Sequence, residues 1–256
     1  VLTDARQAVD PRALGRLAAA LSDPGVGVVS GELVFPDEAQ RTTAARGLNL
    51  YWEYEKWIRR NEALVDSVPG ATGAMYALRR ELFRPIPAST LLDDVAIPMQ
   101  VVAGGKRCVF EPDALVYDEP SADAAEESRR KRRTIAGNAQ LVALMPTLLV
   151  PWRNPIWFQF VSHKLLRLAS PFLLVALLVA NARLAWCPCY AALLAAQGAF
   201  YALAFGGWLA QRAGARFAPG GAAMMFVALN WTTLLALLDA ARGTYRVTWE
   251  RTGKKS

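Results

Sequence analysis

The sequence predicts an α/β domain followed by interfacial helices and about three transmembrane α-helices. Three observations carry that prediction. The first is an uneven spread of charge. The chain has 256 residues, a net charge of +7, 54% hydrophobic residues and a mean hydropathy of +0.18. Residues 1–134 hold 18 basic and 20 acidic side chains, whereas 135–256 hold 11 basic and only 2 acidic. The basic balance therefore belongs to the apolar half. A nucleic-acid binder needs a basic stripe on a polar fold, so this distribution argues against that class. The second observation is that the runs 168–182, 184–211 and 217–238 contain no charge at all. The third is that residues 1–134 alternate short apolar runs with helical patterns.

Along residues 1–134, Val1–Thr3 reads as the end of a strand, with Asp4 directly after it. Asp10 and Pro11 supply an N-cap and a first-turn proline for an amphipathic helix over Arg12–Leu21. Val26–Ser30 is a β-branched run that suits a buried strand. Leu50, Tyr51, Tyr54, Trp57 and Ile58 fall on one helical face, which is expected to pack in the core. The loop Pro69–Ala74 carries Gly70 and Gly73, which permit close backbone approach. Ala74–Leu78 continues as a strand and Arg79–Phe83 as a short helix. In Leu91-Leu92-Asp93-Asp94-Val95 an acidic pair lies between apolar neighbours, a pattern that also suits a helix cap. A Gly104-Gly105-Lys106 turn leads into a strand over Arg107–Phe110, and Ala114–Tyr117 makes another. Arg129–Arg133 is an unbroken basic run, which by itself would serve as a patch for anionic lipid.

From Ile135 to His163, Pro146, Pro151 and Pro155 interrupt the apolar pattern, with Trp152, Trp157 and Phe158 near Arg153. Prolines break long helices, and Trp with Arg suits the headgroup layer, so short interfacial helices are expected over 135–163. His163 is expected to be structural at that layer. Spans are expected over 164–241. The last uncharged run has 22 residues and reaches roughly 33 Å as a helix. The first is long enough only if Lys164 and Arg167 snorkel at its base. A basic tail, 242–256, holds Arg242, Arg246, Arg251, Lys254 and Lys255. Three spans would put this tail opposite the α/β domain, yet the positive-inside rule puts it in the cytoplasm. Cys187 and Cys189 flank Pro188 and, with Cys108, are expected as small buried residues rather than metal ligands.

Taken together, Thr3-Asp4-Ala5-Arg6, GATGAMYALRRELF (70–83), the stretch from Leu91 to Glu119, RRKRRTIAGNAQ (129–140) and FQFVSHKLLR (158–167) form an ordered set. That set resembles the second half of a family 2, GT-A-type inverting glycosyltransferase with C-terminal membrane helices. Cellulose, hyaluronan and poly-N-acetylglucosamine synthases and many bacterial membrane transferases belong to that group. The resemblance implies a Rossmann-like nucleotide-diphospho-sugar transferase domain over 1–134. It implies transfer from an NDP-sugar, chiefly a UDP-sugar, to a lipid-linked or polysaccharide acceptor with inversion. In that chemistry Asp94 is the general base with Asp93 beside it, and Arg129, Arg130 and Arg133 meet the donor diphosphate. Gly73 and Ala74 line the acceptor side, and Asp4 helps hold Mg2+ or Mn2+. Two departures stand out: Arg6 replaces the second carboxylate of the family's DxD motif, and Thr134 stands where its R-x-x-R-W motif has Trp. The resemblance further implies a bacterial cytoplasmic membrane, with the catalytic domain facing the cytoplasm and membrane lipids as partners. Because the family domain begins about 100 residues upstream of Asp4, a truncated chain is expected. It would be inactive alone and paired with a separate N-terminal half or another synthase subunit. The competing readings are a non-catalytic membrane scaffold or export component that keeps the fold, and a lipid-binding anchor.

Overall fold

The computed structural model describes residues 1–5, 7–35, 43–118, 124–215 and 217–243, and the side chains of 43–52, 124–128 and 218 lie outside that description. The valines of Val26–Val34 (β3) make it the central strand, and its first seven residues are buried. It pairs in parallel with Arg107–Tyr117 (β5) and antiparallel with Met75–Leu78 (β4). Two short edge strands complete the sheet: Leu2–Thr3 (β1) on β4, and Ala8–Val9 (β2) on β5, both antiparallel. The order is β1-β4-β3-β5-β2, a mixed sheet.

Helices cover both faces. Ala13–Ala20 (α1) packs Ala13 and Leu17 against Val29, Met75, Ala77, Ala114 and Val116. It starts one residue later than expected because the Asp10 carboxylate accepts from the Arg12 backbone N–H at 2.9 Å, so Asp10 shapes the turn before the helix. The opposite face packs Tyr76, Cys108 and Phe110 against Asp93–Ala103 (α3) and Ala124–Leu144 (α4). The strands expected at Arg107–Phe110 and Ala114–Tyr117 are one strand, β5, bulged opposite Ser30–Glu32. The bulge has a visible consequence. Cys108 and Phe110 face one side of the sheet while Ala114 and Val116, of the same parity, face the other.

The long helix Thr43–Val65 (α2) corrects the core reading of its aromatic stripe. Tyr54 and Trp57 are 58% and 61% exposed and stack on each other, whereas Glu55 and Glu62 are buried. Among the described residues of α2, the buried side chains Glu55 and Glu62 meet charged groups, while Ala63 packs on the core; the side chains of Leu50 and Tyr51 lie outside the description.

Helix α4 runs through 134/135 to Leu144 and buries Ala136 and Leu141 in the domain core. A 3₁₀ turn follows at Pro146–Leu149. Then Trp157–Gln159 (α5), a π-helical turn at Phe160–Leu165 and Leu166–Arg183 (α6) run on as one helix. With Pro188–Arg212 (α7) and Ala218–Arg242 (α8), three helices are long and apolar enough to cross a membrane. Cys108 is buried as expected, but Cys187 is half-buried and Cys189 exposed. Arg6 and the tail residues Arg246, Arg251, Lys254 and Lys255 lie outside the described residues.

Candidate active site

Leu91 and Leu92 are buried, which anchors the start of α3 and presents Asp93 and Asp94 in its first turn. Two carboxylates there complement the helix dipole. They do not act as the cap, because Leu92 holds the N-cap position without a side-chain hydrogen bond. Asp94 lies against the glycine loop. The Ala71 N–H donates to the Asp94 carbonyl at 2.7 Å, and a Cβ on Gly73 would stand 2.9 Å from Asp94 Oδ2. Glycine at 73 is thus needed for the approach of the loop to the carboxylate. Asp94 Oδ1 is buried and has no hydrogen-bond partner among the described residues. Burial, and then the charge of Asp93, push the Asp94 carboxyl up to about 6, against the pull of Lys164 and Arg59. The buried Tyr76 phenol, pushed up by burial and by both aspartates, likewise has no partner for its hydroxyl among the described residues.

On the other side of the loop, Thr3 Oγ1 donates to the Ala74 carbonyl at 2.8 Å and the Asp4 N–H reaches it at 3.2 Å. Gly73-Ala74 therefore lies between the backbone of Asp4 and the side chain of Asp94. Asp4 is exposed at the end of β1. Among the described residues no three His, Cys, Asp or Glu side chains group as a metal ion would need. Asp4 offers one carboxylate, so the described residues alone do not amount to a protein-built metal site.

Helix α4 brings the basic run to the acidic pair. A Cβ on Gly137 would meet Leu92 Cγ at 2.5 Å, so glycine lets α4 press onto the segment before Asp93. Gln140 fastens that contact: its Oε1 accepts from the Leu91 N–H at 2.9 Å and its Nε2 donates to the Ser89 carbonyl at 2.8 Å. Arg133, on the same helix, feels both Asp93 and Asp94; burial lowers its pKa and the two carboxylates work the other way. Arg130 and Arg129 stand three and four residues before it and share its helical face, with Arg129 exposed. Arg132 points elsewhere, clamping Asp239 of α8 through Nε and through Nη2 at 2.7 Å. The structure thus brings Asp93, Asp94, Gly73 and Arg133 together, places Ala74 and Asp4 beside them, and leaves Arg129 and Arg130 on the same face of α4 as Arg133.

Sequence reasoning missed a buried ionic cluster behind this site. His163 Nε2 meets Glu55 Oε1 at 2.8 Å and His163 Nδ1 meets Glu62 Oε1 at 2.9 Å. Each ring nitrogen thus has its own carboxylate partner. Arg167 Nη2 adds a bond to Glu55 Oε2 at 3.0 Å. Burial works against the charge of Glu55. The hydrogen bond from His163 and the cations His163, Arg167 and Arg59 outweigh it and hold the carboxyl below its ordinary range. Arg59 Nη1 in turn donates to Thr72 Oγ1 at 2.8 Å, next to Gly73. His163 is therefore structural as expected, but inside the domain rather than at the headgroups. The usable signal was the seven-residue spacing of Glu55 and Glu62, which repeats on one helical face opposite the aromatics.

Residues 1–205 match the family described as Glycosyl transferase family group 2. No curated protein matches the chain. Among solved structures it is similar to the mannosyltransferase PcManGT from Pyrobaculum calidifontis, in complex with GDP-Man and Mn2+, with a TM-score of 0.62 at 21% identity. That alignment covers 95% of this chain and 62% of the other, so the chain spans less than two thirds of that protein's length. The likeness shows the fold: a mixed sheet flanked by helices, as in GT-A nucleotide-sugar transferases.

Proposed function

Because the chain belongs to glycosyl transferase family group 2, we propose that it moves a sugar from an NDP-sugar to a lipid-linked or polysaccharide acceptor at a membrane, with inversion. The observation that carries this reading is Asp94, a carboxylate held against a glycine loop with one buried oxygen that has no partner among the described residues. A base near pKa 6 is mostly ionised at neutral pH yet can still accept a proton. In the transfer step the acceptor oxygen forms a bond to the anomeric carbon, and the bond from that carbon to the diphosphate breaks. The hydroxyl proton goes to Asp94, and the nucleotide diphosphate leaves with the bonding pair. Arg133, with Arg130 and Arg129 on the same face of α4, supplies cations for that growing charge. Asp93 keeps Asp94 basic by its negative charge. Gly73 and Ala74 form the acceptor wall. Asp4 alone does not build a metal site, and every step above uses the chain's own side chains.

The neighbour's GDP-Man places GDP-sugars beside UDP-sugars in the donor panel. The test expresses the full coding region in which this chain occurs, supplies radiolabelled UDP- and GDP-sugars to membranes, and compares wild type with Asp94→Asn. Transfer by wild type with strong loss in the variant is expected. Equal transfer by both removes Asp94 as the base. Transfer by neither favours a non-catalytic scaffold that keeps the fold.

A further inference from the structure

We propose that Cys187 and Cys189, at the joint between α6 and α7, form a redox-active dithiol that exchanges with low-molecular-weight disulfides. The inference goes beyond glycosyl transfer and does not depend on it. It assigns chemistry to Cys-Pro-Cys (187–189), a motif that the transfer site leaves unused.

Pro188 builds the pair. A proline at the first helical position keeps the residue before it extended, and Cys187 accordingly has φ −88° and ψ 127° as the N-cap of α7. Cys189 falls in the first turn of that helix. The Cys187 carbonyl accepts from the backbone N–H groups of Tyr190 and Ala191, both at 3.1 Å, and the Cys187 N–H donates to the Leu184 carbonyl at 3.0 Å. With the backbone pinned in this way, the two Sγ atoms stand 3.1 Å apart. That is about 1 Å longer than a disulfide bond, so little movement separates the thiols from one. Cys189 is exposed and Cys187 half-buried, whereas Cys108 is sealed in the domain core. The Cys189 thiol and the backbone N–H groups of Cys189 and Tyr190 favour the Cys187 thiolate and hold its pKa below the ordinary thiol value.

The pair also lies where water reaches it. Gly207 crosses Gly220 and Phe200 packs on Phe226, so α7 and α8 run antiparallel and the start of α7 is level with the end of α8. That end is tied to the α/β domain through Asp239 and Arg132. Trp186, exposed just before the pair, and Arg183 suit the headgroup layer there. Two sulfurs are too few for a closed zinc site, and among the described residues no three His, Cys, Asp or Glu side chains group together, which favours exchange over metal binding. In the exchange the Cys187 thiolate attacks one sulfur of a glutathione-type disulfide, forming a mixed disulfide and expelling the other half as a thiolate. The Cys189 thiol then gives its proton to water, attacks Cys187 Sγ and expels the second glutathione thiolate. The two cysteines lose two electrons and two protons, and the small disulfide gains them as two thiols. An exposed disulfide is labile, so the reverse reaction with reduced glutathione restores the dithiol.

The test reduces the full chain in phosphatidylcholine nanodiscs, removes the reductant and adds glutathione disulfide at pH 7, with acid quenching and mass spectrometry. Wild type should pass to a form that has lost two hydrogens and holds no glutathione, and excess reduced glutathione should reverse the change. Cys189→Ser should trap one glutathione on Cys187. Cys187→Ser should take up glutathione on Cys189 about three- to tenfold more slowly, because the turn favours only the Cys187 thiolate. Cys108 should stay unmodified in every sample, which verifies that the domain remains folded. Retention of glutathione by wild type, or thiols that stay free, would overturn the proposal. Equal rates in the two single variants would remove Cys187 as the attacking group. No turnover of sugar enters these readouts, so this result and that of the Asp94→Asn transfer test stand or fall separately.

Discussion

Replacing Asp94 with Asn should stabilise the fold while abolishing transfer, and the gain should depend on pH in a defined direction. Asp94 ionises near 3.8 in an ordinary setting and near 6 in the folded domain. Below pH 3.8 both folded and unfolded chains hold the proton, so the residue costs nothing. Between 3.8 and about 6 the unfolded chain ionises first, and above 6 the folded state bears the whole penalty. At about 1.4 kcal/mol per pH unit the gap corresponds to roughly 3 kcal/mol. Oδ1 is fully buried but the residue as a whole is partly accessible, so about 1–3 kcal/mol is the working range. Asparagine removes the ionisation but not the shape. For a chain of this size that is a rise in Tm of about 3–10 °C at pH 8 relative to wild type, shrinking toward zero near pH 3. Thermal unfolding in detergent, followed by tryptophan fluorescence from pH 3 to 8, measures it. Wild-type transfer should rise through about pH 6 as Asp94 loses its proton, the opposite trend to stability. A Tm difference that stays flat with pH, or that grows toward acid, would refute the assignment of Asp94 as a strained, desolvated base.

Gly73→Ala puts a methyl carbon 2.9 Å from Asp94 Oδ2. Misplacing the base by a fraction of an ångström should lower kcat by roughly ten- to a hundredfold with little change in Tm. Gly137→Val drives Cβ into Leu92 at 2.5 Å, so α4 must retreat from the acidic pair; denaturation should report a loss of about 1–3 kcal/mol, together with weaker donor binding. Glu55→Gln leaves His163 and Arg167 without their shared carboxylate; a loss of about 3 kcal/mol is expected in the same assay, and Glu55→Asp should recover part of it. Single cysteines at Glu81 in the domain and at Gly243 after α8, in a background with Cys187 and Cys189 changed to Ser, should react with an impermeant thiol reagent from the same side of a sealed vesicle. Labelling from opposite sides would show that the end of α8 is not on the domain's side.

The candidate site was legible in the sequence where its residues lie close together along the chain. Asp94, Gly73 and Arg133 each lie in a short segment whose composition is unusual, and the helix start at Asp93 follows from buried leucines meeting an acidic pair. Less legible was what decides which face of a helix points inward. In α2 the apolar period selects Tyr54, Trp57 and Ile58, yet the structure turns Glu55 and Glu62 inward because their partners, His163 and Arg167, arrive about a hundred residues later. A period reports how a helix would sit on an oily surface. It carries no information about a charged partner from the far end of the chain. The bulge in β5 was hidden for a similar reason. It is defined by pairing with Ser30–Glu32, and neither segment alone records that register.

The conflict between three apolar helices and a basic tail on the wrong side also turns on long-range contacts. Both ends of the apolar region are tied to the α/β domain. At the start, Phe160 is buried in the core cluster that holds Tyr76 and Val95, and His163 is locked to α2. At the finish, Ala236 is buried in that same cluster and Asp239 is clamped by Arg132 of α4. Three complete crossings would separate those ends by about 30 Å of hydrocarbon, which these contacts forbid. An even number of crossings satisfies them. Helices α7 and α8, 25 residues each, approach so closely at Gly207 and Gly220 that a Cβ on Gly207 would meet the Gly220 backbone at 2.3 Å. Small residues at that crossing suit a packed pair of membrane helices. The odd helix is then α6, which carries Pro171 and whose base, at Arg167, is bonded into the domain. A helix lying along the interface there would leave Lys164 at the headgroup level. It would also return Arg242 to the domain's side, where the positive-inside rule places the charge of the tail.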